Sequence, residues 1–498
     1  MEHIIAIDQG TSGSKALIIS EKGEIVSSHT CPFHSYYPKP GFVEQKGNEI
    51  IESIITSVKQ ALYDFEAAGN NKNSITAVGI SNQRESFLLW DEKGIPLSPV
   101  IVWQCKRSVD ICLRLQKMNI ESHIIDATGL RIDPYFSGTK LLWLIENDPF
   151  LREKVKNGSV YFGTIDTWLV FKFTGNYVTD CSNASRTLLM DLDQCKWSPA
   201  MEDLFEIKGL HLPEIRPSSG NFGETNFNGI LDKPIPITSI IGDSHAACFG
   251  EGCFSPGTVK ATMGTGSSVV MNTGKRTRSQ HGMVSTICWS MEGRRDYALE
   301  GVIVSCGSTV NWILEKLKLA PDAAGFDAIA ESVPDSGGVT FIPAFSGLGG
   351  PYWQMGRKAE ILGITLGTDA AHIVRAALEA YPFQLKDVIS SMEKDRELNQ
   401  GKAHGAALQW IRSDGGLTHS RLSMQIIANL LKTEVRVDRR HEASAMGAAM
   451  LGFIGKGTLS FSDVESLIIK APFDTYSPKE LDKGLELSYA LWRERVSY

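Results

Sequence analysis

The chain opens with a strand, a glycine-containing turn and a second strand, and this segment constrains the fold more than any other. Residues 3–7 are apolar, residues 8–14 form a polar turn with two glycines, and residues 15–20 are mostly apolar again. Residues 24–28 follow a second turn as a third strand-like run. Short apolar runs separated by glycine turns are typical of β-hairpins, so the sequence predicts a sheet that begins at the N-terminus.

A second segment of the same kind lies at residues 257–274. Two strand-like runs, residues 257–263 and 269–272, enclose a turn of glycine, threonine and serine. Both segments carry a Gly-Thr pair and small hydroxyl residues in the turn. This spacing favours two related halves, each opening with a hairpin that faces phosphate, and two unrelated hairpins are the alternative.

Helical and strand-like segments alternate along the rest of the chain. Helices are predicted at residues 48–68, 141–147, 151–156, 372–393 and 421–431, and strands at residues 74–80, 87–91 and 237–241. This alternation predicts an α/β fold with helices covering sheets. Since the 498 residues exceed one hydrophobic core of roughly 250, we expect two domains, at residues 1–248 and 249–498. Pro382 should interrupt and kink its helix.

Composition argues against several classes of protein. Apolar residues make up 42% and charged residues 21%, which is typical of a soluble globular protein. No apolar run reaches the roughly 18–20 residues that cross a bilayer, and no basic leader precedes an apolar stretch. We therefore expect a cytoplasmic protein without membrane insertion. The net charge of −7 and the absence of a basic tract argue against nucleic acid as a partner.

Cysteine usage points to a reducing compartment. The nine cysteines are scattered along the chain, and no two of them form a CxxC pair. A disulfide scaffold and a structural zinc site both need regular spacing, so neither interpretation fits this pattern. Free thiols in the cytosol fit it better.

Four turns rich in glycine and hydroxyl residues follow predicted strands. They lie at residues 10–14, 264–267, 305–308 and 414–418. Glycine lets backbone N–H groups approach a phosphate, and serine and threonine add donors. None of the turns has the spacing of a P-loop or of a Rossmann dinucleotide site. Each alone is more often a plain turn, but four in one chain favour a nucleotide held between two lobes.

Two aspartates stand at the ends of predicted strands. Asp8 would hold Mg²⁺ through water near the phosphates, or it would only cap its own turn. Asp243 would accept the proton of a substrate hydroxyl and orient that hydroxyl for phosphoryl transfer. The alternative for Asp243 is the N-cap of the helix that follows. We interpret the neighbouring His245 as structural.

A polyol site is predicted where an Arg-Glu pair follows the strand at residues 74–80. Arg84 can donate hydrogen bonds to neighbouring hydroxyls and Glu85 can accept them, and a surface ion pair is the alternative. Trp103 and Tyr135 would form apolar walls against the C–H faces of the substrate. A place in the core is the alternative for each ring.

Taken together, these segments resemble the FGGY carbohydrate kinases, and among them the glycerol kinases. The resemblance extends from Ile4 to about Phe453. It is carried, in the family's order, by residues 6–15, 36–44, 81–85, 102–104, 132–143, 162–168, 179–187 and 362–379. So many long, ordered matches make the resemblance specific.

The resemblance implies an α/β protein of two actin-like, ribonuclease-H-like domains with the active site in the cleft between them. It implies ATP and Mg²⁺ as cofactors, Asp243 as the catalytic base and Asp8 near the metal. Polyol contacts would come from Arg84, Glu85, Trp103, Tyr135, Asp243 and Ser244. ATP contacts would come from Thr11, Ser12, Gly13, Lys15, Thr265, Gly307, Asn311, Gly415, Gly416 and Ser420.

The chain departs from the glycerol kinase pattern at several positions. Where those kinases carry Arg, Asp, Arg, Gln, Phe and Asn, this chain has Lys15, Cys105, Lys106, Ser244, Ser268 and Ser420. The change at Ser268 removes a ring from one wall of the pocket and adds a hydroxyl. A larger pocket would be refilled by side chains, by water or by a longer substrate. This predicts tolerance of, or preference for, a four- or five-carbon polyol.

The implied activity is the ATP-dependent phosphorylation of a terminal hydroxyl of a small polyol, with glycerol as the first candidate. A kinase for a tetritol, pentitol or ketopentose is the alternative within the family. An actin-like ATP-binding regulatory protein is the alternative from another class, and polyol-dependent ADP production separates the two. Family members are commonly dimers or tetramers, which implies a homodimer or homotetramer.

Overall fold

The structure of the protein is a computed structural model that describes residues 1–401, 408–439, 442–480 and 482–497. The chain forms two compact units, and each is assembled from segments that are distant in sequence. The first unit comprises Met1–Gly252, Ser285–Tyr297 and Glu442–Lys470, and the second comprises Cys253–Val284, Ala298–His441 and Ala471–Tyr498. The domain division at residues 248 and 249 stays a prediction.

Long and short strands occur in both halves of the chain. The first fifteen are β1 (His3–Gln9), β2 (Gly13–Ser20), β3 (Ile25–Pro32), β4 (Glu44–Gln45), β5 (Ile75–Asn82), β6 (Phe87–Trp90), β7 (Val100–Ile101), β8 (Val160–Thr164), β9 (Val178–Asp180), β10 (Met190–Asp191), β11 (Lys196–Trp197), β12 (Leu210–His211), β13 (Glu214–Arg216), β14 (Glu224–Thr225) and β15 (Ile235–Gly242). They are followed by β16 (Thr258–Met263), β17 (Ser267–Gly274), β18 (Val284–Met291), β19 (Arg294–Ile303), β20 (Thr340–Ile342), β21 (Glu360–Leu362), β22 (Trp410–Asp414), β23 (Val435–Asp438) and β24 (Phe473–Tyr476).

Helices alternate with these strands. They are α1 (Gly47–Ala67), α2 (Val109–Lys117), α3 (Glu121–Thr128), α4 (Ser137–Asn147), α5 (Pro149–Lys156), α6 (Ile165–Thr174), α7 (Cys181–Ala184), α8 (Pro199–Leu204), α9 (Asp243–Gly250), α10 (Gly307–Trp312), α11 (Ala323–Glu331), α12 (Ala370–Gln400), α13 (Arg421–Leu431), α14 (Ala443–Lys456), α15 (Phe461–Ile469) and α16 (Lys483–Val496). The strands and helices predicted from the sequence are all present, with ends that shift by a few residues.

The core of the first unit is a six-stranded sheet with the order β14-β15-β5-β1-β2-β3. β1 runs antiparallel to β2 and parallel to β5, and β5 runs parallel to β15. Ile5 and Ile7 of β1 pack with Ile50 and Ile54 of α1 in one hydrophobic core. β1 is apolar on both faces because helices cover both sides of the sheet.

The other face of this sheet is covered by α14, which packs on β1, β5 and β15. A Cβ at Gly452 of α14 would contact Ile4, which points to the opposite face from Ile5. The helix lies very close to the sheet, since a Cβ at Gly79 would come within 2.5 Å of the Ala448 carbonyl oxygen. Glycine on β5 is therefore what allows this close packing.

The second sheet has the order β18-β19-β17-β16-β22-β23-β24. β16 runs antiparallel to β17 and parallel to β22, and β22 runs parallel to β23. The run β19-β17-β16-β22-β23 thus repeats the order β3-β2-β1-β5-β15, with the same directions around the central strand. This repeat confirms the prediction of two related halves that each open with a hairpin.

The long helix α12 packs on the second sheet together with α13. Leu385 and Val388 of α12 and Ile427 of α13 contact the core formed by β16 and β17. The predicted interruption of α12 at Pro382 is wrong, because the helix continues through this residue from Ala370 to Gln400. Tyr381 and Phe383, on either side of Pro382, are buried, and their packing stabilises the helical turn in which the proline has no N–H to donate. The kink itself stays a prediction.

Two expectations from composition can be compared with the structure. Within the described ranges, no helix combines the length and apolar character needed to cross a membrane. All nine cysteines are free thiols, and eight of them are buried. The prediction of free cysteines is therefore confirmed.

Candidate active site

Three parallel strands of the first sheet, β1, β5 and β15, end side by side. Asp8 pairs in register with Ser81 of β5, and Ser81 pairs with Ile241 of β15. The residues that follow these strands therefore meet at one edge of the sheet, where ligands of α/β proteins commonly bind. Arg84 follows β5 and Asp243 follows β15, so the sequence-predicted polyol residues are brought together here.

Asp243 is the first residue of α9, and Gly242 is the N-cap. The alternative role of Asp243 as the N-cap is therefore wrong, because the N-cap is the residue before it. Its Oδ1 accepts hydrogen bonds from Arg84 Nε at 3.1 Å and from the Ser244 backbone N–H at 2.6 Å. The Arg84 side chain is 3% exposed, whereas that of Asp243 is 38% exposed. One carboxylate oxygen is thus anchored while the side chain remains accessible to a ligand.

Glu85 is held by a buried ion pair. Its Oε1 accepts a hydrogen bond from Arg186 Nε at 2.6 Å, and the two side chains are 1% and 0% exposed. The Glu85 carbonyl oxygen accepts from Ser137 Oγ at 2.8 Å, and its φ of 61° lies in the left-handed region. A non-glycine residue keeps that strained backbone only where its surroundings enforce it. The surface ion pair considered for Arg84 and Glu85 is therefore wrong.

Trp103 and Tyr135 form an edge-to-face ring pair with centroids 5.5 Å apart. Trp103 Nε1 donates to Thr11 Oγ1 at 2.9 Å, which connects this ring to the turn between β1 and β2. Lys140, fully buried, donates from Nζ to the carbonyl oxygens of Tyr135 at 2.7 Å and Trp103 at 3.4 Å. Burial lowers the pKa of Lys140 to about 8. One buried lysine therefore fixes the backbone under both predicted apolar walls.

Asp8 accepts a hydrogen bond from Ser81 Oγ at 2.9 Å. Burial is the main cause that raises the pKa of Asp8 to about 6; the negative charges of Asp243 and Glu442 contribute to the rise, whereas the hydrogen bond from Ser81 and the charge of Lys15 oppose it. A cation relieves such an excess of carboxylate charge, so Asp8 fits a place beside Mg²⁺. Among the described residues no group of three or more His, Cys, Asp or Glu side chains forms a metal site. Water and phosphate would then supply most ligands of the ion.

The turn between β1 and β2 carries the predicted phosphate contacts Thr11, Ser12, Gly13 and Lys15. Ser12 is exposed, and Thr11 and Lys15 are half-buried. Gly13 is tightly placed, since a Cβ there would come within 2.9 Å of a carbonyl oxygen of β3. Lys15 Nζ contacts Glu442 Oε1 at 2.6 Å. A phosphate would therefore compete with a carboxylate for this lysine.

The short helix α7 supports the polyol residues from behind. Asp180 accepts hydrogen bonds from the N–H groups of Ser182 and Asn183, each at 2.9 Å. Ser182 Oγ accepts from the Gly242 N–H at 2.9 Å. Asn183 and Asn82 exchange two side-chain hydrogen bonds, at 2.9 and 3.0 Å. Helix α7 thus joins the ends of β5 and β15 immediately before the residues predicted to bind the polyol.

The second unit contains a cavity of about 890 Å³. This volume is in the range of small-molecule and cofactor sites. Residues on its wall include five of the predicted ATP contacts, which are Thr265, Gly307, Asn311, Gly416 and Ser420. The turn after β16 and the turn before α13 therefore converge on one cavity.

Two of the predicted ATP residues also shape this cavity through the backbone. Gly415 does not line the cavity, but its φ is 93° and a Cβ there would lie 2.6 Å from the Met263 backbone, so the position requires glycine. Ser420 is the N-cap of α13 and accepts from the Ser423 N–H at 3.2 Å. Asp327 lies on the wall of the same cavity, and burial raises its pKa. Direct contact of Gly415 with ATP stays a prediction.

Three residues singled out in the sequence have simpler surroundings. Ser268 lies in β17, and its hydroxyl donates to the buried Glu300 Oε1 at 2.9 Å. Ser244 is half-buried beside the candidate base. His245 is buried, with Nε2 3.4 Å from Thr286 Oγ1, which agrees with a structural role.

Sequence reasoning missed the residues that position the site. Arg186, Lys140 and Asp180 touch predicted contacts or the strands that carry them, yet the sequence alone assigns them no role. A signal existed, because a charged residue inside an otherwise apolar or small-residue segment needs a buried partner. The wall of the cavity formed by α11, which includes Ala324 and Phe326, gave no such signal.

Comparison with known proteins identifies the family of the chain. Residues 3–250 match the N-terminal domain and residues 259–455 the C-terminal domain of the FGGY family of carbohydrate kinases. The chain is 40% identical to glycerol kinase 2 of Thermotoga maritima, over 100% of this chain and 98% of that protein. It is also 40% identical to glycerol kinase of Pseudomonas syringae pv. syringae, over 99% and 96% of the two chains.

Solved structures show the same fold. Plasmodium falciparum glycerol kinase with ADP matches with a TM-score of 0.91 and 34% identity, over 100% of this chain and 98% of that chain. Ligand-bound xylulose kinase from Lactobacillus acidophilus matches with a TM-score of 0.87 over 100% and 97%, and at 20% identity it supports the fold alone. The predicted actin-like, ribonuclease-H-like domains are confirmed. With both domain models matched and relatives 40% identical over the whole length, the chain belongs to the FGGY family of carbohydrate kinases.

Proposed function

We propose that this chain is an ATP-dependent kinase that transfers the γ-phosphoryl group of ATP to a terminal hydroxyl of glycerol. The observation that carries the proposal is the Asp243 carboxylate, anchored by the buried Arg84 yet accessible, at the edge where β1, β5 and β15 end. Relatives named glycerol kinase that match over the whole chain support the same substrate.

In the proposed reaction, Asp243 accepts the proton of the attacking hydroxyl and orients its oxygen toward the γ-phosphorus. Arg84 Nε holds one carboxylate oxygen, which leaves the other free to accept. Arg84 would donate to a second hydroxyl of the polyol, and Glu85 would accept from the same molecule. Trp103 and Tyr135 would pack against its carbon chain.

ATP is proposed to bind in the cavity of the second unit, where Thr265, Gly307 and Ser420 offer backbone and hydroxyl donors. Lys15 would exchange its Glu442 partner for a phosphate oxygen, which replaces one ion pair by another. Asp8 would hold Mg²⁺ through water. When bound, the ion would neutralise negative charge on the phosphates during transfer.

An assay of ADP release tests the proposed function. We expect ADP to form in proportion to glycerol in the presence of Mg²⁺ and to be accompanied by stoichiometric glycerol 3-phosphate, identified by mass. ADP release without any polyol, at the same rate, would instead support the actin-like ATP-binding alternative.

The affinity for a divalent cation should depend on the ionisation of Asp8. Its raised pKa of about 6 means that the carboxylate is protonated below that pH and attracts no cation. Binding of Mn²⁺ in the presence of ATP, measured by electron paramagnetic resonance, should weaken toward about tenfold per pH unit below about pH 6. The phosphates of the nucleotide titrate in the same pH range. The contribution of Asp8 is therefore the difference between the pH dependence of Mn²⁺ affinity in the wild type and that in Asp8→Asn. Parallel pH curves for the two proteins would contradict this assignment.

The Asp8→Asn variant should fold normally at neutral pH. A carboxyl whose folded-state pKa is raised contributes stability below its unfolded pKa, and this contribution is lost as the pH rises through about 6. At pH 7 the ionised, desolvated Asp8 therefore lowers stability, and a neutral amide removes that penalty.

Longer polyols should be substrates if Ser268 leaves room beside the substrate. We expect kcat/KM for erythritol or threitol to lie within about a hundredfold of that for glycerol, with ribitol and xylitol completing the panel. Ser268→Phe should fill the space and reduce activity on the tetritols more than on glycerol, while Ser268→Ala controls for the lost hydroxyl. A larger preference for glycerol would exclude the longer substrates, and an unchanged ratio in Ser268→Phe would exclude Ser268 as the residue that leaves room for them.

We also infer a cytoplasmic location and a homodimer or homotetramer. The location rests on the composition and the free cysteines, and the oligomeric state rests on the family. Light scattering coupled to size-exclusion chromatography measures the mass of the assembly, and a monomer of about the 54.7 kDa chain mass would overturn the second inference.

A further inference from the structure

Two cysteines of the first unit lie in contact although they come from different elements. Cys181 is the first residue of α7, and Cys195 lies in the turn between β10 and β11. Their Sγ atoms are 2.8 Å apart. The Cys195 N–H donates to the Asp191 carbonyl oxygen at 2.9 Å, which fixes the turn that carries this thiol. Both are free thiols.

The surroundings make the two thiols chemically unequal. The Cys181 thiol can donate to Cys195 Sγ and lies 3.3 Å from the Arg216 carbonyl oxygen, so it keeps its proton. The hydrogen bond from Cys181 and the positive charge of Arg295 lower the pKa of Cys195. The same hydrogen bond and burial raise the pKa of Cys181. Cys195 is therefore the thiolate-forming member of the pair.

Access also favours Cys195. Its residue is 9% exposed and lies between the exposed Gln194 and Lys196, whereas Cys181 is 3% exposed. A second pair, Cys248 and Cys288, has Sγ atoms 3.6 Å apart, and both residues are 0% exposed. A small oxidant can reach the first pair from solvent, and the second pair provides an internal comparison.

Cys181 is directly coupled to the support of the candidate base. It begins the four-residue helix α7, whose next residue, Ser182, accepts from the Gly242 N–H at 2.9 Å. Asn183 of the same helix holds Asn82 at the end of β5. A displacement of Cys181 therefore acts on both strands that carry polyol residues.

We propose that Cys181 and Cys195 are a redox-modification site that closes to a disulfide in the presence of a small hydroperoxide and lowers turnover reversibly. The Cys195 thiolate attacks one peroxide oxygen, an S–O bond forms, the O–O bond breaks, and the leaving hydroxide takes the thiol proton to give water. Cys181 then attacks the Cys195 sulfenic sulfur, the S–S bond forms, and hydroxide leaves with the Cys181 proton as a second water. Two thiols and one hydrogen peroxide thus give one disulfide and two waters.

Closure should disturb the site by a small displacement. The two sulfur atoms need to approach by less than about 1 Å to reach a bonded distance of about 2.05 Å. The movement is transmitted through α7 to Gly242, the residue before the base. Misplacement of a reacting group by about 1 Å can cost up to about 10²-fold in rate, so we expect kcat to fall about tenfold.

The experiment uses the full chain and hydrogen peroxide. After peroxide treatment and alkylation of the remaining thiols, mass mapping should show a Cys181–Cys195 linkage and reduced Cys248 and Cys288. This readout is independent of the proposed kinase activity. Oxidation that leaves Cys181 and Cys195 both alkylated, or that links Cys248 to Cys288 first, would overturn the proposal.

Activity variants test the second half of the proposal. The kcat of the wild type should decrease about tenfold on oxidation and recover with dithiothreitol. Cys31→Ser, a control that removes a half-buried thiol elsewhere in the chain, should behave in the same way. Cys195→Ser, remote from the substrate residues, should keep its kcat before and after peroxide. A linked wild-type protein with unchanged kcat, or an equal loss in Cys195→Ser, would show that the pair does not control turnover.

Discussion

Replacing Asp243 with asparagine should lower kcat for glycerol phosphorylation by about 10³-fold, within the usual range for the loss of a general base. Asparagine keeps the size of the side chain and its acceptor for Arg84, but it cannot take the hydroxyl proton. The affinity for ATP should be nearly unchanged, because the cavity lined by Thr265 and Gly307 belongs to the second unit. Steady-state kinetics and calorimetric titration of ATP measure the two quantities.

A surface variant controls for nonspecific loss. Asp64→Asn changes an exposed carboxylate on α1 that bonds only its helical neighbour Gln60 among the hydrogen bonds described for it. It should retain wild-type kcat. If kcat of Asp243→Asn decreases by less than about threefold while kcat of Asp64→Asn is unchanged, Asp243 is not the catalytic base.

Replacing Arg186 with methionine should lower the free energy of unfolding by about 3–5 kcal/mol, because the buried Glu85 carboxylate loses its ion pair with Arg186. The shift of the urea transition at constant slope measures this loss. KM for glycerol should also rise, since Glu85 loses the contact that directs it. Arg186→Lys, which keeps the charge, should recover part of both effects.

Two further variants separate the buried charge from lost packing. Arg114→Met breaks an exposed pair with Glu146 and should cost under about 1 kcal/mol. The double variant Glu85→Gln with Arg186→Met should be less destabilised than Arg186→Met alone, because no unpaired charge remains. Additive losses in the double variant would contradict the ion-pair explanation.

Local pattern is sufficient to predict the two hairpins, the central strands of the first sheet and five of the helices, but not where these elements end. The first strand is expected at residues 3–7, yet β1 continues to Gln9 because Asp8 and Gln9 pair with Ser81 and Asn82 of β5. A rule that ends a strand at the first polar residue cannot anticipate a partner more than seventy residues away. The same limit applies to Pro382, where tertiary packing outweighs the local preference of proline.

Some residues of the candidate site could likewise be predicted from the sequence and others could not. Asp243 and Arg84 could be predicted, because each follows an apolar strand and parallel strands align their ends. The pairing of Glu85 with Arg186 spans 101 residues and leaves no local pattern in either segment. Its consequence, a carboxylate fixed in direction, can be seen only once both segments are folded.

The position of α14 has a consequence for how the protein is made. This helix, Ala443–Lys456, covers β1, β5 and β15, and it fits so closely that a Cβ at Gly455 would lie 2.2 Å from the Thr238 carbonyl oxygen of β15. A ribosome must therefore synthesise more than 440 of the 498 residues before the earliest strands gain their second cover. Until then an apolar face of the nascent sheet is open to water, so completion of the first unit is a post-translational or very late event, and chaperone binding to that face is expected during synthesis.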